Sequence, residues 1–149
     1  MSLSFYRPEA AASGGDQQAF IASYNDKVSR DLLQTTLQMT VPHHPWLDLI
    51  PFAMFRERVL SLVSMTPPMI DMLELKGDIF MNDGIFCWRS SEKGGAGQPW
   101  EARNWEAEAW FLKKWWMIVG GEEGDIWKQT EWWRRMRGKD KVQMDWNVQ

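Results

Sequence analysis

The sequence predicts an all-α or mostly α protein with a tryptophan-rich core, and three observations predict it. Apolar residues recur at helical spacing in several segments, prolines and glycines fall between those segments, and nine of the eleven tryptophans lie after residue 99. Each tryptophan combines a large apolar surface with one N–H donor and a π face, which suits rigid cores, ligand walls and partner-binding surfaces.

Residues 1–16, with Ala10–Gly15 reading AAASGG, are expected to form a flexible leader, and residues 17–149 a single helical domain. Over 17–39, Phe20, Tyr24, Val28 and Leu32 recur every four residues with Ile21, Leu33 and Leu37 beside them, which predicts an amphipathic helix capped by Asp16. Pro42 and Pro45 bound it and enclose His43 and His44. A second helix is expected over 52–63, with Phe52, Phe55, Val59, Leu62 and Val63 inward and Arg56, Glu57 and Arg58 outward. Pro67 and Pro68 introduce a third over about 69–76, since proline is tolerated in a first helical turn. Residues 84–88 form the one short segment with extended character, and the Gly, Ser and Lys of 90–98 predict a surface loop.

The strongest helical pattern covers 105–119, with Asn104 as expected cap, Glu106 near the positive helix end, and Gly120 and Gly121 as terminators. Trp105, Ala109, Leu112, Trp116 and Val119 make one stripe, widened by Phe111, Trp115 and Ile118, while Trp110 projects from the opposite side. A last helix over 125–137 is expected to bury Ile126, Trp132, Trp133 and Met136, with Gly138 as its stop.

Composition excludes several functions. A length of 149 residues fits one ordinary domain, and 44% hydrophobic with 25% charged residues is globular composition. The net charge of −3 offers no general attraction to phosphate backbones, so a nucleic-acid partner is not expected. Cys87 is alone, which rules out a disulfide framework and a cysteine zinc site; no cofactor or metal is expected. The first thirty residues hold no continuous apolar run, and nothing reaches the roughly 18 apolar residues of a membrane span. The expected location is intracellular, in cytoplasm or nucleus.

Four blocks carry a family signal: His44-Pro45-Trp46-Leu47-Asp48-Leu49-Ile50-Pro51 followed by Phe52, Arg56 and Leu60; Gly84-Ile85-Phe86-Cys87-Trp88; Pro99-Trp100-Glu101-Ala102-Arg103-Asn104-Trp105-Glu106 leading into Phe111-Leu112-Lys113-Lys114-Trp115; and Thr130 to Gly138, TEWWRRMRG. From His44 to about Val142 the chain resembles the fungal domain of unknown function usually found C-terminal to a bZIP DNA-binding region in Ascomycete regulators. It departs from that pattern at Glu101-Ala102, where the family favours Asp-Pro, at Glu131-Trp132, where it has Asn-Tyr, and at Trp110 and Trp116, where small residues are expected. It also carries the inserted 90–98 loop. A bZIP region needs a basic helix continued by heptad leucines, yet residues 1–43 contain only Arg7, Lys27 and Arg30 as basic groups. The resemblance therefore implies a freestanding accessory domain, a piece of a larger regulator, or a relative turned to another task.

Two places hold residues suited to chemistry. His44 and Asp48 stand four apart, so a helical turn would let the carboxylate orient the imidazole as in general-base sites; the alternative is a Pro-bounded turn fixed by backbone hydrogen bonds. Glu101, Arg103 and Glu106 flank Trp100 and Trp105, supplying acid, base and aromatic walls together. Trp46, Trp88, Trp105, Trp115, Trp116 and Trp133 are read as core rings or as walls for a flat ligand. Lys128, Arg134, Arg135, Arg137, Lys139 and Lys141 form a basic tail whose simplest role is a solvated helix face.

Two functional classes follow. The chain is expected to be a binding module for a small hydrophobic or aromatic molecule or a protein partner, with a homodimer through Trp110 as one form of partner. The alternative is a cofactor-independent cyclase, isomerase or lyase of fungal secondary metabolism, with His44, Asp48, Glu101 or Glu106 moving protons.

Overall fold

The computed structural model describes residues 30–88 and 99–144. The leader, the first half of the 17–39 helix and the 90–98 loop lie outside the described residues. From Arg30 the chain makes a 3-10 turn, Arg30–Leu32, and restarts as helix α1, Thr36–Thr40. A capping box sets that start: the Thr35 hydroxyl accepts from the Gln38 amide at 3.3 Å, and the Gln38 side chain accepts from the Thr35 amide at 3.0 Å. The carbonyls of Asp31 and Leu33, which a continuous helix over 17–39 would spend on its own ladder, instead accept from the Arg56 guanidinium.

Pro45–Leu49 is a second 3-10 turn, followed by helix α2, Ala53–Val63. Phe55 and Val59 face inward as the pattern predicts, and Leu60 joins them, whereas Leu62 and Val63, also expected inward, are only half-buried. Arg56, expected outward, is also fully buried. It sits four residues from both Phe52 and Leu60, on the apolar stripe itself. Helix α3 is Met72–Phe80, later than the two prolines predict, because Asp71 caps it by accepting from Leu73 and Glu74 amides at 2.9 and 3.3 Å.

The pattern over 105–119 does not form one helix. Trp105–Ala107 is strand β2, paired antiparallel with β1, Ile85–Cys87, in the register Ile85↔Ala107, Phe86↔Glu106, Cys87↔Trp105. Asn104 therefore caps no helix but ends a 3-10 turn, Ala102–Asn104. Outer bonds extend the ladder: the Trp88 amide donates to the Asn104 carbonyl at 2.7 Å, and the Glu108 amide to the Gly84 carbonyl at 2.8 Å. Helix begins only at α4, Ala109–Lys114, and breaks at Trp115 before the short α5, Trp116–Val119. Side-chain periodicity continues through 105–107, but the available strand partner and the Thr130 hydroxyl, which accepts the Ala107 amide at 2.9 Å, claim the backbone there.

Helix α6, Asp125–Met136, completes the fold. Its buried face is Ile126, Trp127 and Thr130, packed on β2 and α2. Trp132 and Met136, expected inside, are exposed, and Trp133 is half-buried. The helix is turned by the Thr130 bond to β2 rather than by its C-terminal tryptophans. Phe55, Leu60, Phe111, Leu112, Trp115, Ile118, Val119, Ile126 and Trp127 belong to the buried core between α2, the hairpin and α4–α6. The described chain is thus mostly helical, with one short two-stranded sheet.

Candidate functional site

The HPWLDLIP block folds as a polar lock. Pro45 begins the 3-10 turn and Asp48 within it is 1% exposed, so its carboxylate needs internal partners. His43 supplies one. Its Nε2 lies 2.7 Å from Asp48 Oδ1, and its Nδ1 lies 2.7 Å from the Val41 carbonyl. Since both contacts are acceptors, this geometry suits a ring protonated on both nitrogens. Burial opposes that charge most strongly, but the bonds to Asp48 and Val41 and the Asp48 charge outweigh it, raising the His43 pKa above the usual histidine value.

Gln38 links this pair to Arg56. Its amide donates to Asp48 Oδ1 at 2.7 Å, and its carbonyl accepts from Arg56 Nε at 2.9 Å. Arg56 further donates to the carbonyls of Asp31, Leu33 and Ile50, so one guanidinium gathers three chain segments around α2. Burial pushes its pKa down to about 10, against the charges of Asp48, Asp125, Asp31 and Glu57, and it stays cationic at neutral pH. The pairing expected for His44 and Asp48 is thus made by His43 instead. His44 is exposed at the N-cap of the turn and makes no capping bond.

Glu106 faces inward from β2 at 3% exposure. Arg137, just past α6, grips it with both terminal nitrogens, one at 2.8 Å, and Trp88 Nε1 donates to the same carboxylate at 2.9 Å. Glu101 is held outside by Arg103 at 2.6 Å, and the Asn104 amide donates to it at 3.5 Å. A third carboxylate, Asp78 of α3, accepts from Trp115 Nε1 at 2.9 Å, Lys114 at 2.7 Å and Asn82 at 3.1 Å. Burial works against its charge, yet these donors and the Lys114 charge together lower its pKa.

The tryptophans are spread over different contacts rather than round one hollow. Trp46 meets Phe80 edge-on at 5.7 Å; Trp115 packs with Phe111, which also touches Phe55 and Trp110; Phe86, Trp88, Trp133 and Trp132 form a chain of rings. Trp105 donates to the Pro99 carbonyl at 2.9 Å, and Trp100 lies at the surface. Among the candidates, only Trp46 and Trp115 are buried; Trp88 and Trp116 are exposed.

Open grooves mark the surface of the described residues. One, about 410 Å³, is lined by Arg58, Ser61, Leu62, Trp116 and Met117; a neighbour of about 360 Å³ shares Arg58 and adds Ala53, Met54 and Glu57. A third, about 430 Å³, lies among Glu122, Glu123, Trp127, Lys128, Glu131, Arg135, Lys141 and Val142. Of the candidate rings, Trp116 alone lines one of them. Among the described residues no cluster of three His, Cys, Asp or Glu could hold a metal ion, and no helix is long and apolar enough to cross a membrane.

Sequence reasoning missed His43, Gln38, Arg56 and Arg137 as partners. For Arg56 the signal was present, a cation at helical spacing within an apolar stripe. Arg137 likewise stands four residues after Trp133.

A small, mostly helical unit with internally paired acids and open surface grooves describes a domain type rather than a known activity. The sequence model of the family described as a domain of unknown function (DUF3425) matches residues 21–127, more than two thirds of the chain, and the chain belongs to that family. Neither a curated protein nor a solved structure matches it.

Proposed function

We propose that this protein is a binding module whose ligand is an acidic, amphipathic segment of a partner protein, seated in the groove between α2 and α5. The observation that carries this reading is the lining of that groove: Leu62, Trp116 and Met117 surround Arg58, with no acid among the five lining residues. Trp116 and Met117 are 43% and 46% exposed and adjoin Leu62, so their apolar surface is contiguous along the groove. The Arg58 guanidinium lies across the groove, donating to the Met117 carbonyl at 3.3 Å, and keeps further donors for a carboxylate. An apolar trough with one central cation suits a helix that presents leucine-like anchors beside Asp or Glu.

The candidate acids favour binding over catalysis. Asp48, Glu101 and Glu106 are each engaged by internal donors, whereas a general base needs reach to a substrate proton. The cofactor-independent enzyme of fungal secondary metabolism is therefore the weaker reading, and so is a small aromatic ligand. An open groove would leave much of a small molecule in water, whereas ligand sites bury most of their guest. The resemblance to the domain that follows bZIP regions in fungal regulators supports a partner within such regulators, met in cytoplasm or nucleus.

The test is a fluorescence anisotropy titration with a labelled helical peptide carrying leucines at i and i+4 and a glutamate between them. Binding is expected to weaken about tenfold, about 1.4 kcal/mol, on Trp116→Ala. Arg58→Glu is expected to abolish it while gaining affinity for the lysine-substituted peptide. If neither substitution alters binding, and a small aromatic probe instead quenches the core tryptophans, the small-molecule reading replaces this one.

A further inference from the structure

The surroundings of Arg137 are those of a receptor for a guanidinium group. Glu106 offers both carboxylate oxygens to the two terminal nitrogens of Arg137, the fork geometry that distinguishes arginine from lysine. The Arg137 guanidinium carbon stands 5.6 Å from the centre of the Trp88 ring, within cation–π range. Trp88 orients the acid through its own N–H, and the Trp133 ring, centred 5.5 Å from that of Trp88 and tilted 34° to it, packs against it. Acid, aromatic wall and orienting donor come from β2, the end of β1 and α6, so the box is built by the hairpin and one helix together. The Trp133 Nε1 atom is buried there without a hydrogen-bond partner.

The occupant is less fixed than its site. Glu106 is 3% exposed, but the Arg137 side chain is 32% exposed and Trp88 40%. Arg137 is also the first residue beyond α6, followed by Gly138 with φ +70°, so its withdrawal undoes only the helix end. Removing it would leave the buried Glu106 carboxylate with the Trp88 N–H but no countercharge, which is a drive to accept another guanidinium.

We propose that the Glu106–Trp88–Trp133 box is an arginine-binding site that the chain fills with its own Arg137, and that an arginine side chain of a partner peptide competes for it. This site is separate from the α2–α5 groove and does not rest on the reading given for that groove.

The experiment is chemical rescue. Arg137→Ala is expected to lower the melting temperature, and millimolar methylguanidinium to restore it in a saturable manner. Methylammonium, which lacks the fork, should not. The double variant Arg137→Ala with Glu106→Gln should show no rescue, and the wild type no response. An arginine-containing peptide should bind Arg137→Ala at least tenfold more tightly than wild type, about 1.4 kcal/mol. If Arg137→Ala does not fold alone, the same addition is read as recovery of helical circular dichroism. Absence of rescue in either form, rescue that persists without the Glu106 carboxylate, or equal rescue by methylammonium overturns the proposal.

Discussion

His43 shows how one residue's surroundings decide its role. Its ring is enclosed, with Asp48 on one nitrogen and the Val41 carbonyl on the other, while the Gln38 amide links Asp48 onward to the Arg56 guanidinium. Because the folded state holds the His43 proton more tightly than the unfolded chain does, the stability it contributes is present at acidic pH and lost as pH rises from the ordinary value of 6.5 through the raised one. Urea unfolding across that interval should therefore show stability declining with pH, and His43→Gln should flatten the decline. A wild-type profile that rises instead would contradict the charged-ring geometry. The sequence made the histidines and Asp48 visible, but not which histidine turns inward. That depends on the 3-10 turn begun by Pro45, whose geometry side-chain spacing does not encode.

At the scale of elements, periodicity located α2 well because its apolar stripe and its backbone agree. It failed at 105–107 because a helical stripe and a strand can share the same few apolar residues, and the partner strand lies twenty residues earlier at Ile85–Cys87. The hairpin depends on Gly84, at the turn into β1. A Cβ there would fall 2.5 Å from Phe111 Cδ2 and 2.7 Å from the Asp78 carbonyl oxygen, against a core ring and backbone that cannot yield. Gly84→Ala is accordingly expected to cost about 1–3 kcal/mol, the usual range for overpacking a core, and to loosen α3 from α4. Denaturant midpoints together with amide exchange at Ile85–Cys87 would measure this. An unchanged midpoint would mean that the close approach is not maintained in solution.

Across the whole molecule, two of the acids that sequence reading marked for proton transfer, Asp48 and Glu106, tie elements together, and so does Asp78, which it did not mark. Asp48 joins the turn to α1 and, through Gln38, to Arg56 of α2; Glu106 ties the hairpin to the end of α6; Asp78 ties α3 to α4. Such pairing follows from the cost of burying a charge without a partner, and long-range partners such as Arg137 for Glu106, 31 residues apart, are invisible to local patterns. The exposed aromatic Trp110 was legible because helical geometry alone sends it away from Phe111 and Leu112, and it is 40% exposed. Trp116 was not, because the break at Trp115 rotates α5 relative to α4. That break places Trp116 beside Arg58, and so creates the groove on which the functional reading depends. The most direct test is a nitrogen-15 NMR titration with the acidic amphipathic peptide. The account predicts shift changes concentrated at Arg58, Leu62, Trp116 and Met117, with Asp48 and Glu106 unmoved. Changes concentrated at Asp48, Glu106 and the Trp100–Trp105 junction, with the α2–α5 groove silent, would contradict it.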